Sequence, residues 1–142
     1  FFEHYSLAWP TEALPRRADS LCHGFSAGPG YSLPAHVLGV TPMEPGFDRV
    51  LIAPSPSDLY WAAGKVPTPH GPVGVEWQKS PRRFRIACEV PEGCSAKLRL
   101  PPYCGRDRAV LVNGKPFEYR WEDGRQALEL SAGRRTVEQV LG

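Results

Sequence analysis

The feature that most constrains this chain is a run of short segments of alternating polarity, each closed by turn residues. The clearest are RVLIA (49–53), LYWAAGKV (59–66), GVEWQ (74–78) and FRIACEV (84–90). AKLRL (96–100), AVLVN (109–113), FEYRW (117–121) and ALEL (127–130) continue the series. In FRIACEV, Phe84, Ile86, Cys88 and Val90 fall on one face, and Arg85, Ala87 and Glu89 on the other. In AKLRL, Ala96, Leu98 and Leu100 oppose Lys97 and Arg99. Successive side chains of a strand point to opposite faces, so these segments read as strands with one face in a core and one in water. Between them fall SPSD, TPHGP, KSPRR, PEG, NGKP, EDGR and SAGRR. Turn signals at that spacing are what an antiparallel β-sandwich produces. Asn113-Gly114 suits a type I′ hairpin turn. The 16 prolines and 14 glycines are absorbed by such turns.

The first 41 residues have another character. AGPGYSLPAHVLGV sets Tyr31, Leu33, Val37, Leu38 and Val40 at a rough helical spacing. Pro34 fits a first helical turn and Gly39 a helix stop. TPMEPGFD then reads as a connector. The expected fold is mainly β: an antiparallel β-sandwich over residues 42–142, preceded by a short helical segment within residues 1–41.

A chain of 142 residues is long enough to bury a real core. Its formal net charge of +2, with lysines and arginines scattered among the acids, argues against nucleic acid or an anionic membrane as partner. No apolar run approaches the roughly 20 residues that span a bilayer. The opening FFEHYSLAW, apolar and without a methionine, reads as the continuation of something longer. The four cysteines, Cys22, Cys88, Cys94 and Cys104, have no CxxC spacing and no histidine at a zinc-ligand interval. A Cys88–Cys94 or Cys94–Cys104 disulfide stays open beside the reading of scattered buried thiols. The compartment, cytoplasmic or exported, is left undecided.

Residues 42–142 hold no Gly-rich phosphate loop, no Ser-His-Asp order and no paired-acid motif. His70 in VPTPHGP reads as a turn histidine bonding the local backbone. Trp61, Trp77 and Trp121 read as core aromatics, with an exposed row stacking on sugar rings as the alternative. The N-terminal stretch carries more chemistry. Glu3 sits among Phe1, Phe2, Tyr5 and Trp9, a setting that raises a carboxyl pKa once enclosed. His23 lies between Cys22 and Gly24, followed by Phe25 and small residues that let a backbone approach closely. The two side chains are candidates to share one cleft.

FFEHYS and DSLCHGFSAGPGYSLPAHVLGVTPMEPGFDRVLIAPSPSDLYWAAGKVPTPHGPVGVEWQ together resemble the C-terminal end of the bacterial α-L-rhamnosidases of glycoside hydrolase family 78. The resemblance is nearly continuous from Phe1 to about Trp77 and is one of architecture alone from residue 78. It implies that residues 1–41 are the tail of an (α/α)6 catalytic barrel and residues 42–142 the C-terminal β-sandwich. It also implies an inverting glycosidase, in which one carboxyl protonates the glycosidic oxygen and a second activates water from the opposite face. On this resemblance Glu3 falls at the general base and His23 at a histidine that lines the sugar subsite. Two positions depart from the family pattern: Phe2 and Phe25 stand where tryptophan is common, which keeps a ring but loses an indole N–H. The implied partners are rhamnose-containing glycosides and the remaining barrel and accessory domains of a parent chain. The barrel would also carry the general acid, so the 142 residues alone are expected to be inactive. The competing reading is a stand-alone β-sandwich that binds carbohydrate or serves as a packing module. Nothing in these residues calls for a metal or an organic cofactor.

Overall fold

A computed structural model of the chain describes residues 27–102 and 108–141. Glu3, His23, Cys22 and Cys104 lie outside that range. Eleven strands form among the described residues, eight of them from the alternating segments, and they are arranged in two sheets. One sheet has the order β1-β2-β6-β10-β9, built from Val40–Pro42, Arg49–Ile52, Ser95–Arg99, Arg125–Leu130 and Arg120–Glu122. The other has the order β3-β4-β5-β11-β7-β8, built from Trp61–Val66, Val73–Ser80, Arg83–Val90, Gly133–Leu141, Arg108–Val112 and Lys115–Pro116. Every pairing among the described residues is antiparallel except β2 with β6, where Val50 stands opposite Ala96. The unit that holds both sheets runs Leu33–Gly142, and the described residues before it form one short α-helix, Gly28–Ser32.

The strict alternation does what it predicts. Along β5, Phe84, Ile86, Cys88 and Val90 are buried, while Arg83, Arg85 and Glu89 are exposed. From the five-stranded sheet, Val50, Ile52, Ala96, Leu98, Leu128 and Leu130 enter the core. From the other come Val73, Val75, Trp77, Phe84, Ile86, Val110 and Val137. Apolar area removed from water here is the main favourable contribution to the fold. The hairpin at Asn113-Gly114 forms as expected. Both residues have positive φ, at 50° and 79°, and the side-chain oxygen of Asn113 accepts a bond from the Thr136 backbone N–H at 3.0 Å. The tight turn is thereby stitched to β11 as well as closed on itself.

Besides the two-residue β8, which falls in the expected turn NGKP, and FEYRW (117–121), which is strand only from Arg120, two strands depart from the sequence reading. The first is β1, whose Val40 pairs with Ile52 although it continues the helical spacing. Gly39 explains the switch. It ends the π-type turn Leu33–Leu38 with φ of 77°, and a methyl at its Cα would come within 2.2 Å of the Ala53 carbonyl carbon. Only glycine turns the chain into the sheet at that spot. The second is β11, the longest strand, which lies between β5 and β7 where the sequence shows only the turn SAGRR. Arg135, Val137 and Gln139 alternate with Arg134, Thr136 and Glu138. Polar residues stand on both faces, so the alternation is hidden. Gln139 is nonetheless buried, because its amide donates to the Gln126 side-chain oxygen at 2.6 Å and Gln126 donates in turn to the Arg108 carbonyl at 2.9 Å. Paired amides can be buried where single ones cannot.

Candidate functional site

The two residues on which the sequence places sugar chemistry, Glu3 and His23, lie outside the described residues. The sandwich residues singled out with them can be placed. His70 sits in the turn between β3 and β4. Its backbone N–H bonds the Thr68 hydroxyl at 3.2 Å, and that hydroxyl donates to the Gly71 carbonyl at 2.6 Å. The imidazole does not bond local backbone, as the sequence suggested. Its Nε2 meets the Asp48 carboxylate at 2.8 Å, 22 residues upstream. The reason is topological: β2 runs parallel to β6, which brings the connector before Arg49 to the same end of the sandwich as the loop before Ser95. Asp48 also accepts at its carbonyl from the Ser95 N–H at 2.9 Å.

Beside them, the Cys94 thiol donates to the Phe47 carbonyl at 2.8 Å. Burial raises the Cys94 pKa, the Asp48 carboxylate raises it further, and the Ser95 backbone draws it back in part. A thiol held protonated in this way is a poor nucleophile. Cys88 is buried in the core between the sheets, and burial pushes its pKa up to about 12. Both are free thiols, so neither Cys88–Cys94 nor Cys94–Cys104 is a disulfide here. His70, Asp48 and Cys94 therefore make a tether between loops rather than a catalytic group. Among the described residues no three histidines, cysteines or acids converge as a metal site.

The three strand tryptophans separate. Trp77 is wholly buried, 6.0 Å from the Phe84 ring centre to centre. Trp61 on β3 is 67% exposed, and Trp121 on β9 of the other sheet stacks edge-on against Tyr119 at 6.0 Å. They form no single row, so a three-tryptophan sugar platform is not built.

A polar depression on the outer face of the six-stranded sheet went unnoticed in the sequence. It has a volume of about 250 Å³ and is lined by Lys65, Gly74, Glu76, Ala87, Glu89 and Arg134. The signal was present, since Lys65, Glu76, Glu89 and Arg134 are charged residues at outward positions of adjacent strands. Only the strand register, however, brings them together.

Against known proteins, the chain is similar to the family described as the bacterial alpha-L-rhamnosidase C-terminal domain, over residues 39–115. That is more than half the chain, and it extends beyond Trp77, so likeness past residue 78 is one of sequence as well as architecture. An alpha-L-rhamnosidase from Alteromonas sp. (strain LOR) is 32% identical over 87 residues, 61% of this chain and 9% of that protein. One from Streptomyces avermitilis is 30% identical over 100 residues, 70% of this chain and 9% of that protein. The chain thus spans about a tenth of the length of the curated relatives it matches. The crystal structure of the Streptomyces avermitilis alpha-L-rhamnosidase, complexed with L-rhamnose, matches 78% of this chain and 10% of that one, with TM-score 0.66 and 27% identity. The alpha-L-rhamnosidase from Dictyoglumus thermophilum shares the fold, at TM-score 0.71 over 75% of this chain and 13% of that one.

Proposed function

We propose, because the chain belongs to the bacterial α-L-rhamnosidase C-terminal domain family, that it works as the C-terminal part of an enzyme hydrolysing terminal α-L-rhamnosyl linkages. The observation that carries the reading is the family match across residues 39–115, which covers β1, β2 and β6 of the first sheet and β3, β4, β5 and β7 of the second. In this reading residues 42–142 are a domain that packs on a catalytic barrel, and residues 1–41 are the barrel's last element.

The chemistry assigned to this chain rests on two residues. Glu3 is the general base: its carboxylate takes a proton from a water poised on the face of the sugar ring opposite the leaving group. Inversion follows, because that water attacks once and directly, and the two carboxyls stand roughly 6.5–9.5 Å apart to admit it. Its neighbours in sequence, Phe1, Phe2, Tyr5 and Trp9, are aromatic, and an apolar enclosure is the kind of setting that raises a carboxyl pKa. His23 hydrogen-bonds a ring hydroxyl and orients the sugar. The protonated partner that assists departure of the leaving oxygen comes from barrel elements outside these 142 residues, so a complete active site needs both parts.

The test has two arms. With an aryl α-L-rhamnoside the 142 residues alone show no turnover. In the enzyme that carries them, Glu3→Gln lowers kcat by about 10²–10⁴ with little change in KM. His23→Ala lowers kcat/KM by about 1–3 kcal/mol, through a sugar hydroxyl left without its partner. Turnover by the isolated chain, or a Glu3→Gln enzyme keeping more than about a tenth of its rate, overturns this assignment.

A further inference from the structure

The outward positions of four neighbouring strands fall into three rows. Lys65, Gly74, Glu89 and Arg134 make the first, Ala63, Glu76, Ala87 and Thr136 the second, and Trp61, Gln78, Arg85 and Glu138 the third. Gly74, Ala63 and Ala87 give the middle of this face almost no side-chain height, so the long residues around them become walls. Two depressions result, of about 250 and 180 Å³, which share Glu76, Ala87 and Arg134 and so form one trough.

Lys65, Glu76, Glu89 and Arg134 make no side-chain ion pair or hydrogen bond within the described residues. Glu89 and Arg134 stay apart although they are directly opposed across β5 and β11. Elsewhere on the same face Arg85 and Arg83 both engage Glu138. Two acids and two cations thus line a depression with their hydrogen-bonding capacity unspent and their charges in balance. An anion placed there meets two carboxylates, and a cation meets an ammonium and a guanidinium. A neutral polyol meets neither penalty, since each hydroxyl donates to a carboxylate and accepts from Lys65 or Arg134. The floor of glycine and alanine is low, and the Glu89 side chain leans over Gly74, which places its carboxylate at the level where a ring hydroxyl would meet it. At the far row Trp61, two-thirds exposed on the edge strand, offers an aromatic face for the C–H side of an adjoining ring.

We propose that this trough binds a neutral oligosaccharide, with one pyranose ring over Gly74 and Ala87 held by Glu76, Glu89, Lys65 and Arg134, and the next against Trp61. The site is non-catalytic and stands on the geometry of the sheet, independently of the roles given to Glu3 and His23.

The experiment is an amide chemical-shift titration of the 142-residue chain with methyl α-L-rhamnoside, with neutral hexose and deoxyhexose disaccharides, and with inorganic phosphate. Saturable shifts at Gly74, Glu76, Ala87 and Glu89 are expected with a neutral sugar. Binding should weaken about tenfold or more in Glu76→Ala and in Arg134→Ala. Trp61→Ala should weaken the disaccharides more than the monosaccharide. These side chains point to solvent, and Glu89→Gln supplies a milder variant if either alanine change disturbs the spectrum. The proposal is overturned if no neutral sugar shifts those amides, if Glu76→Ala and Arg134→Ala bind as the parent does, or if phosphate alone gives the response. Rhamnoside turnover is not a readout here, so the outcome leaves the catalytic reading untouched.

Discussion

The indole N–H of Trp77, in the middle of β4, donates to the backbone carbonyl of Val37 at 2.8 Å. Val37 belongs to the turn Leu33–Leu38, ahead of the first strand. One core side chain therefore both fills the space between the sheets and fastens the segment that leads into them. Phenylalanine at 77 keeps a ring in the core but strands the Val37 carbonyl. Trp77→Phe is expected to cost about 1–3 kcal/mol from the lost bond, with a further loss from the space left by the smaller ring. Denaturant unfolding of the chain measures the sum, and an unchanged midpoint would show that the bond contributes nothing.

The same pair shows what could and could not be read from residue order. Trp77 reads as a core aromatic from its place in GVEWQ, and it is one. That its N–H finds a carbonyl 40 residues earlier depends on how the sandwich closes, which no local pattern records. FRIACEV was legible because its inward residues are all apolar. RTVEQV was not, because its inward face carries Arg135, which bonds the Arg134 carbonyl and the Ser131 hydroxyl, and Gln139, which is tolerated through its bond to Gln126. The helical spacing runs on to Val40 because a single glycine, at positive φ and with no room for a side chain beside Ala53, changes the backbone from helix to strand within one residue. The outer trough was invisible for a similar reason. Lys65, Glu76, Glu89 and Arg134 look like ordinary solvated charges until register puts them around Gly74.

His70 and Asp48 offer a second measurement. Their contact of 2.8 Å joins two loops, and the side chains are 29% and 65% exposed. Solvent screening keeps such a pair small. A double-mutant cycle with His70→Ala and Asp48→Ala should return a coupling of about 0.2–1 kcal/mol. The readout is the unfolding free energy of the two single variants and the double variant. A coupling indistinguishable from zero would make the contact incidental. One well above that range would assign the tether a larger part in holding the end of the sandwich together.

Cys88 ties alkaline stability to the core. Its folded pKa lies near 12, against an ordinary 9.0, because burial penalises the thiolate. Above about pH 9 the unfolded chain releases a proton that the folded one keeps, so folding weakens as pH rises from there toward 12. Below pH 9 the thiol adds no pH dependence. Cys88→Ala should therefore flatten part of the alkaline limb of a stability-against-pH curve. In the folded chain at pH 8, a thiol reagent should label Cys88 only as fast as the protein opens. Rapid labelling without unfolding would contradict its place between the sheets.

The acid limb should depend on Glu122 instead. Its carboxylate lies 2.6 Å from the Lys97 ammonium and 3.4 Å from the Arg99 guanidinium, across β6, β10 and β9. The Lys97 hydrogen bond is the main cause that holds its pKa below the usual 4.5, with Arg99 adding to it and partial desolvation opposing both. A depressed carboxyl stabilises the fold fully above its ordinary pKa and loses that contribution as pH falls toward the folded value, where the native state must take up a proton it resists. Glu122→Gln removes the titration. The variant should be less stable than the parent at neutral pH, and the difference should narrow below about pH 4.5 as the parent's own carboxyl is protonated. Added salt should narrow it as well, because the cluster faces water. If the two proteins instead keep a constant difference from pH 7 down to the acid transition, the contacts of Glu122 act through packing and not through charge.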